Sequence, residues 1–214
     1  FPVLDALAPA FERASGTQYS VQVDTARRMF ARIKGGETAD VVVLAASDVD
    51  ELVKLGVVAG GSRRRFARSR VGVAVRAGAP RPDISSVEAF KRTLLNAKSI
   101  AHTVHGASGR YAPVLLERLG IAAEMKPKTV TREGGYIGGV VASGEAEIAI
   151  QQIVELLAVP GIDVVGPLPE EIQKVFETAA GIFAASEQPA AAEAMLQFLL
   201  APPCAAVFEE KGLE

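Results

Sequence analysis

Along most of the chain, short runs of β-branched residues alternate with stretches whose apolar side chains recur every three or four positions. The first pattern suits strands and the second amphipathic helices, so their order predicts a layered α/β architecture. Leu4, Leu7, Ala8 and Phe11 share one helical face, with Gly16 as a stop and Pro9 as an interior weakness. "YSVQV" (residues 19–23) predicts a strand, and "TARRMFARIKGG" a helix with Ala26, Met29, Phe30 and Ile33 facing inward. "ADVVVLAA" is almost continuously apolar, which predicts a strand covered on both faces. In "SDVDELVKLG", Ser47 and Asp50 have the spacing of a capping box, and Gly56 that of a stop.

The arginine-rich "GGSRRRFARSR" reads as a solvated connection before the strand "VGVAVRAG". A helix "SSVEAFKRTLLNA" and a strand "KSIAHTV" lead to "GASGRYAPVLLERLG" (residues 106–120). There a turn of small residues stands directly against an amphipathic helix. The strand "KPKTVTR", the helix "GYIGGVVASGE" and the strand "AEIAIQQ" follow. A Pro-rich stretch leads to the strand "TAAGIFAAS" and two closing helices, "PAAAEAMLQFLLA" and "PPCAAVFEEKG".

Composition narrows the function classes. With 23 basic and 25 acidic side chains the net charge is −2, which argues against a nucleic-acid partner. A hydrophobic share of 49% with 22% charged residues fits a globular chain with a sizeable core. No apolar run approaches the roughly 18 residues of a membrane span, so no direct membrane insertion is expected. Cys204, the single cysteine, excludes an intramolecular disulfide and reads as a small buried hydrophobe. His102 and His105 are too few for a metal cluster. There is no P-loop, no GxSxG elbow and no HExxH, and "REGGYIGG" lacks the context of a dinucleotide fingerprint. Neither a metal nor a cofactor is expected.

What remains is a repeated junction design. Thr25, Ser47 and Ser108 each follow a strand and open a helix, where free N–H groups and the helix dipole favour an anion. Hydroxyls are also common helix caps, so each position carries two readings. Arg27 sits where a cation opposes the dipole, either reaching an anion through its planar fork or facing solvent. Tyr111 either points its hydroxyl into a site or packs on its helix. Gln151 and Gln152 end an apolar strand, where a paired amide can donate to an oxyanion. Gly134 and Gly135 before Tyr136 let backbone approach a ligand closely.

The segments "VLDALAPAFERASG", "ADVVVLAASDVDELVKLG", "ASGRYAPVLLERLG" and "VASGEAEIAIQQ", in this order, resemble the molybdate-binding branch of the periplasmic solute-binding proteins of ABC importers. The resemblance covers nearly the whole chain. It implies a type II periplasmic-binding fold of two α/β lobes with an anion held in the cleft between them. Lobe 1 would take residues 1–72 and 170–214, and lobe 2 residues 73–169. The family's first strand and its serine-bearing loop would precede Phe1, as would a signal peptide, since the chain opens inside a helical pattern. The resemblance also implies a periplasmic monomer that delivers its ligand to a membrane subunit.

Carried over by position, Thr25 matches a family hydroxyl contact, and Ala107, Ser108 and Gly109 its backbone-amide turn. Gly135 and Tyr136 lie in a third contact loop. Arg27 and Asp24 stand where the family has small residues, and Gln152 where it has a tyrosine. These departures make the site more polar, so a small polycarboxylate competes with molybdate or tungstate as ligand. Two other functions fit the same fold. One is a periplasmic aconitate isomerase, with His102, His105, Glu133 or Asp24 as candidate bases. The other is the effector-binding domain of a transcription regulator.

Overall fold

The computed structural model describes residues 2–24 and 26–214. Helix α1 (Pro2–Ser15) leads to α2 (Ala26–Lys34), β1 (Val41–Ala45) and α3 (Ala46–Lys54). Then come β2 (Arg64–Arg76), α4 (Val87–Asn96), β3 (Ile100–Thr103), α5 (Ala107–Arg118) and α6 (Ala122–Met125). Next are β4 (Thr129–Arg132), α7 (Gly138–Ala142), β5 (Ile148–Gln152), α8 (Ile153–Leu156) and β6 (Ile162–Pro167). The chain finishes with β7 (Val175–Ile182), α9 (Pro189–Leu199) and α10 (Pro202–Glu210). It divides into two units, Phe1–Arg68 with Glu177–Glu210 and Glu214, and Ser69–Phe176 with Lys211–Leu213. The backbone crosses between the units within β2, within β7, and on either side of Lys211–Leu213 near the end of the chain.

In the first unit, β1 runs antiparallel to β7, with Val41 opposite Ile182. Its core joins Ile33, Val42, Leu44, Val49, Leu52, Val58 and Phe183. Helix α1 buries Leu4, Leu7 and Phe11, the face its apolar spacing predicts. It continues through Pro9 because Phe11 is anchored edge-on between Tyr19 (centroids 5.6 Å apart) and Phe198 (5.4 Å). That packing outweighs the one backbone bond the proline removes. Gly16 ends the helix at φ +69°, a conformation that favours glycine.

Four local expectations are corrected here. Residues 19–23 form no strand, and Val23 is 68% exposed. A strand exists only when a neighbour takes its N–H and C=O groups. Here Thr17–Asp24 and Val41–Ala45 line a cavity of about 770 Å³ rather than pair. Strand β1 is covered alternately, not on both faces, with Val42 and Leu44 buried and Val41 and Val43 only partly so. The capping box at Ser47 does not form, because α3 starts at Ala46 with Ala45 as N-cap and no side-chain cap. Instead Asp50 accepts from Arg63 at 2.9 Å. The arginine-rich stretch is not a loop from Arg64 onward but the first half of β2, with Phe66 and Ala67 buried. Its charges meet Glu193 (3.6 Å from Arg64) and Glu177 (3.5 Å from Arg68), and Arg70 pairs with Glu170.

The second unit is a mixed sheet in the order β6-β2-β5-β3-β4, with β3 parallel to both β4 and β5. Alternation along the strands builds two different faces. Val71, Val73, Val75, Ile100, Ile148 and Ile150 form one, covered by Phe90 and Leu94 of α4, Leu115 of α5 and Met125 of α6. Ala74, Ala101 and Ala149 form the other, under Val140 and Val141 of α7 and Leu156 of α8. Alanines on that face let these short helices approach closely. Cys204 is buried and free, as its sequence context suggests. Among the described residues no single helix is long and apolar enough to cross a membrane, and no three His, Cys, Asp or Glu side chains gather as a metal site.

Candidate functional site

Parallel pairing brings the carboxyl ends of β3, β4 and β5 to one edge of the second unit's sheet. In open α/β sheets, ligands collect at that edge. Three segments leave from it: residues 104–109 into α5, the loop 133–137, and the start of α8. The first two are tied together, since Val104 N–H donates to the Arg132 carbonyl (2.7 Å) and His105 N–H to that of Glu133 (3.2 Å).

The turn "GASG" fits tightly over the end of β3. A Cβ at Gly109 would lie 2.0 Å from the Thr103 carbonyl oxygen, and one at Gly106 would lie 2.7 Å from the Thr103 hydroxyl. Both glycines are therefore required by close approach. The first bond of the helix runs from Arg110 N–H to the Gly106 carbonyl at 2.9 Å. The N–H groups of Ala107, Ser108 and Gly109 are left without a backbone acceptor, at the positive end of a 12-residue helix. Ser108 and Thr103 are each 1% exposed; the Thr103 hydroxyl has no hydrogen-bond partner, and the Ser108 hydroxyl makes no close hydrogen bond and reaches only weakly toward the Glu155 carboxyl. Orphaned buried donors at a helix start are an arrangement suited to an anion.

The two glutamines at the end of β5 have different tasks. Gln151 is buried, accepts from Ile137 N–H (2.8 Å) and donates to the Gly135 carbonyl (2.8 Å). Its amide thereby fixes the loop in which Gly135 takes φ +81°. Gln152, half-buried, is the N-cap residue of α8 and donates to the Glu155 carboxylate at 3.5 Å. Burial pushes the Glu155 carboxyl up to about 7, against the pull of the Gln152 backbone N–H and amide, the Gln151 amide and the Ser108 hydroxyl. Glu155 was not among the residues singled out from the sequence. The spacing Gln152-x-x-Glu155, that of a capping box, was its one available signal.

Of the remaining expected site residues, Tyr111 spends its hydroxyl on the Ile172 carbonyl (2.7 Å) while accepting from Arg118 (3.3 Å). Tyr136 is 53% exposed. Arg27 and Ser47 belong to the first unit and are exposed, and Thr25 lies outside the described residues. The candidate bases are placed as follows. His102 is buried with Nδ1 2.8 Å from the Thr103 carbonyl, and His105 pairs with Glu133 (2.8 Å) in solvent. Asp24, in the first unit, faces Arg32 at 3.4 Å.

The raised Glu155 pKa makes a prediction for stability. Its folded value, about 7, lies above the 4.5 of an unperturbed carboxyl, so the folded state holds the proton more tightly. The resulting stabilisation is full below about pH 4.5 and lost as pH rises through about 7. Glu155→Gln, neutral at all pH, is expected to stabilise the protein by ~2 kcal/mol at pH 8 and by much less at pH 5. Urea denaturation at the two pH values measures the difference, and an equal effect at both would contradict the burial of an ionised group.

A family model described as bacterial extracellular solute-binding protein matches residues 1–214. An aconitate isomerase from Pseudomonas sp is 39% identical over 214 residues, covering 97% of this chain and 81% of the relative. Among solved structures, the periplasmic molybdate-binding protein of Azotobacter vinelandii superimposes with a TM-score of 0.78 at 19% identity, covering 99% of this chain and 94% of that one. The sulfate-binding protein of Mycobacterium tuberculosis gives 0.74 at 19% identity, covering 99% and 82%.

Proposed function

The chain belongs to the bacterial extracellular solute-binding proteins and has the type II periplasmic-binding fold, and we propose that it captures a small polycarboxylate anion for an ABC importer. One observation carries the reading: three open N–H groups at the start of α5 stand with the buried Ser108 hydroxyl at the carboxyl edge of the parallel strands. The ligand class follows from two further points. The relative at 39% identity is named for a tricarboxylate, whereas the molybdate- and sulfate-binding structures stand at 19%. The neutral Gln152 amide at the same edge also offers a donor to a further carboxylate of such a ligand. The protein acts in the periplasm as a monomer, without cofactor, and hands its ligand to the importer's membrane subunit.

Thermal melts with cis-aconitate, trans-aconitate, citrate, molybdate, tungstate and sulfate test the assignment. A ligand at 100 times its Kd adds about 2.7 kcal/mol, a rise in Tm of roughly 5–10 °C. The tricarboxylates are expected to produce it and the metal oxyanions and sulfate to leave Tm unchanged. A response to molybdate alone would overturn the ligand class, and no response to any anion would overturn capture.

The 39% identical aconitate isomerase favours a second reading, in which the bound unsaturated tricarboxylate is also isomerised. Conversion of cis- to trans-aconitate, followed by proton NMR, distinguishes this from capture alone.

A further inference from the structure

Isomerisation by a double-bond shift needs a group that removes a proton from one carbon and returns it to another. Four side chains qualify by type from the sequence, and their surroundings disqualify them. His105 and Glu133 pair with each other at 71% and 85% exposure, far more open to water than a proton carrier should be. His102 is buried in β3 against its own chain's carbonyl, and Asp24 is in the other unit beside Arg32. Glu155 differs from all four. It is half-buried, it stands beside the Ser108 hydroxyl and the Gln152 amide, and every group acting on it is neutral.

Resting on the isomerase reading, we propose that Glu155 is the residue that carries the proton across the substrate's allylic system. Its carboxylate takes a proton from the substrate methylene carbon. The C–H bond breaks, its electron pair forms the new C=C, and the old double-bond pair moves to the former vinyl carbon. That carbon then takes the proton back from the Glu155 carboxyl, and the product is an isomer with no oxidant or co-reactant consumed. Negative charge that spreads onto a substrate carboxylate during the transfer meets the Ala107–Gly109 N–H groups and the Ser108 hydroxyl. Burial suits the carboxyl to both steps, because a group that titrates near neutrality can accept and return a proton.

Glu155 also has a plain structural task, since it accepts from Gln152 at the start of α8. Glu155→Gln keeps a hydrogen-bonding side chain of the same length there and removes the titratable proton, without loss of stability. The test compares wild type, E155Q and E155D by NMR turnover of cis-aconitate in D2O, with calorimetric affinity for the same ligand and a thermal melt of each protein. Wild type is expected to isomerise with a rate that climbs through about pH 7. E155Q should lose roughly 10²–10⁴-fold in turnover while its affinity stays within a few-fold of wild type. E155D, which withdraws the carboxyl by one methylene, should retain part of the activity and supplies the comparison if E155Q does not fold. Wild-type turnover in E155Q, or affinity and turnover falling together, would overturn the assignment. A wild type that binds the tricarboxylate without isomerising it overturns the inference and leaves capture standing, whereas absent binding overturns capture itself.

Discussion

Gly109→Ala is expected to lower stability by ~3 kcal/mol and to abolish high-affinity anion uptake together, because one close contact serves both. The added Cβ would meet the Thr103 carbonyl oxygen at 2.0 Å and the Thr103 hydroxyl at 2.4 Å. Neither atom is the free end of a flexible side chain, so the first turn of α5 must tilt away from β3. The same tilt redirects the N–H groups of Ala107, Ser108 and Gly109, which need fixed aim to be worth more than water. Gly134→Ala provides the contrast. A Cβ there meets nothing within 4 Å, and the change is expected to move stability by less than ~0.5 kcal/mol. Urea unfolding and calorimetry with cis-aconitate on both variants measure the pair of effects. A Gly109→Ala protein with unchanged melting and affinity would show that the turn is not seated on β3.

The second large effect separates folding from binding. Phe90→Ala should cost about 4 kcal/mol, the sum of lost burial and an unfilled cavity. Phe90 is fully buried on the large-residue face of the second unit's sheet, among Val71, Val73, Leu94 and Leu115. Phe90 is carried by α4, which supplies no residue to the carboxyl edge where Ser108 and Glu155 stand. The protein that remains folded should therefore bind the ligand with near wild-type affinity once stability is allowed for. Denaturant unfolding with and without ligand, at 10 °C if needed to keep the variant folded, gives both numbers. A loss of affinity larger than the loss of folded protein would mean that α4 positions the site.

Much of the architecture was legible in the sequence. The apolar spacing of Leu4, Leu7 and Phe11, the periodicity of residues 107–118 and the run ending in Gln152 each fall within a short window. Such windows are enough because a helix or strand face is set by spacing along the chain. The glycine stops at 16 and 56 were legible for the same reason, each taking a positive φ. Of the site, the α5 start and the glutamine pair could be named, since helix-start chemistry is local.

Other features depend on residues far apart in sequence. "YSVQV" has a strand's pattern but no pairing partner, and β propensity without a partner leaves its polar backbone to water. The arginines from 63 to 70 read as a solvated loop because the acids that meet them are Asp50, Glu170, Glu177 and Glu193. The small residues of "GASG" read as a turn before a helix, yet the end of β3 is what requires its two glycines.

The sequence by itself therefore determined the element order, the inward faces and the small-residue turn before α5, because spacing and residue type act over a few positions. Tertiary structure alone decided that Gln151 is consumed in holding a loop and that Tyr111 holds Ile172. It also decided that the Glu155 carboxyl is poised to titrate near 7. Burial and hydrogen-bond partners set that poise, and both come from segments brought together only by folding.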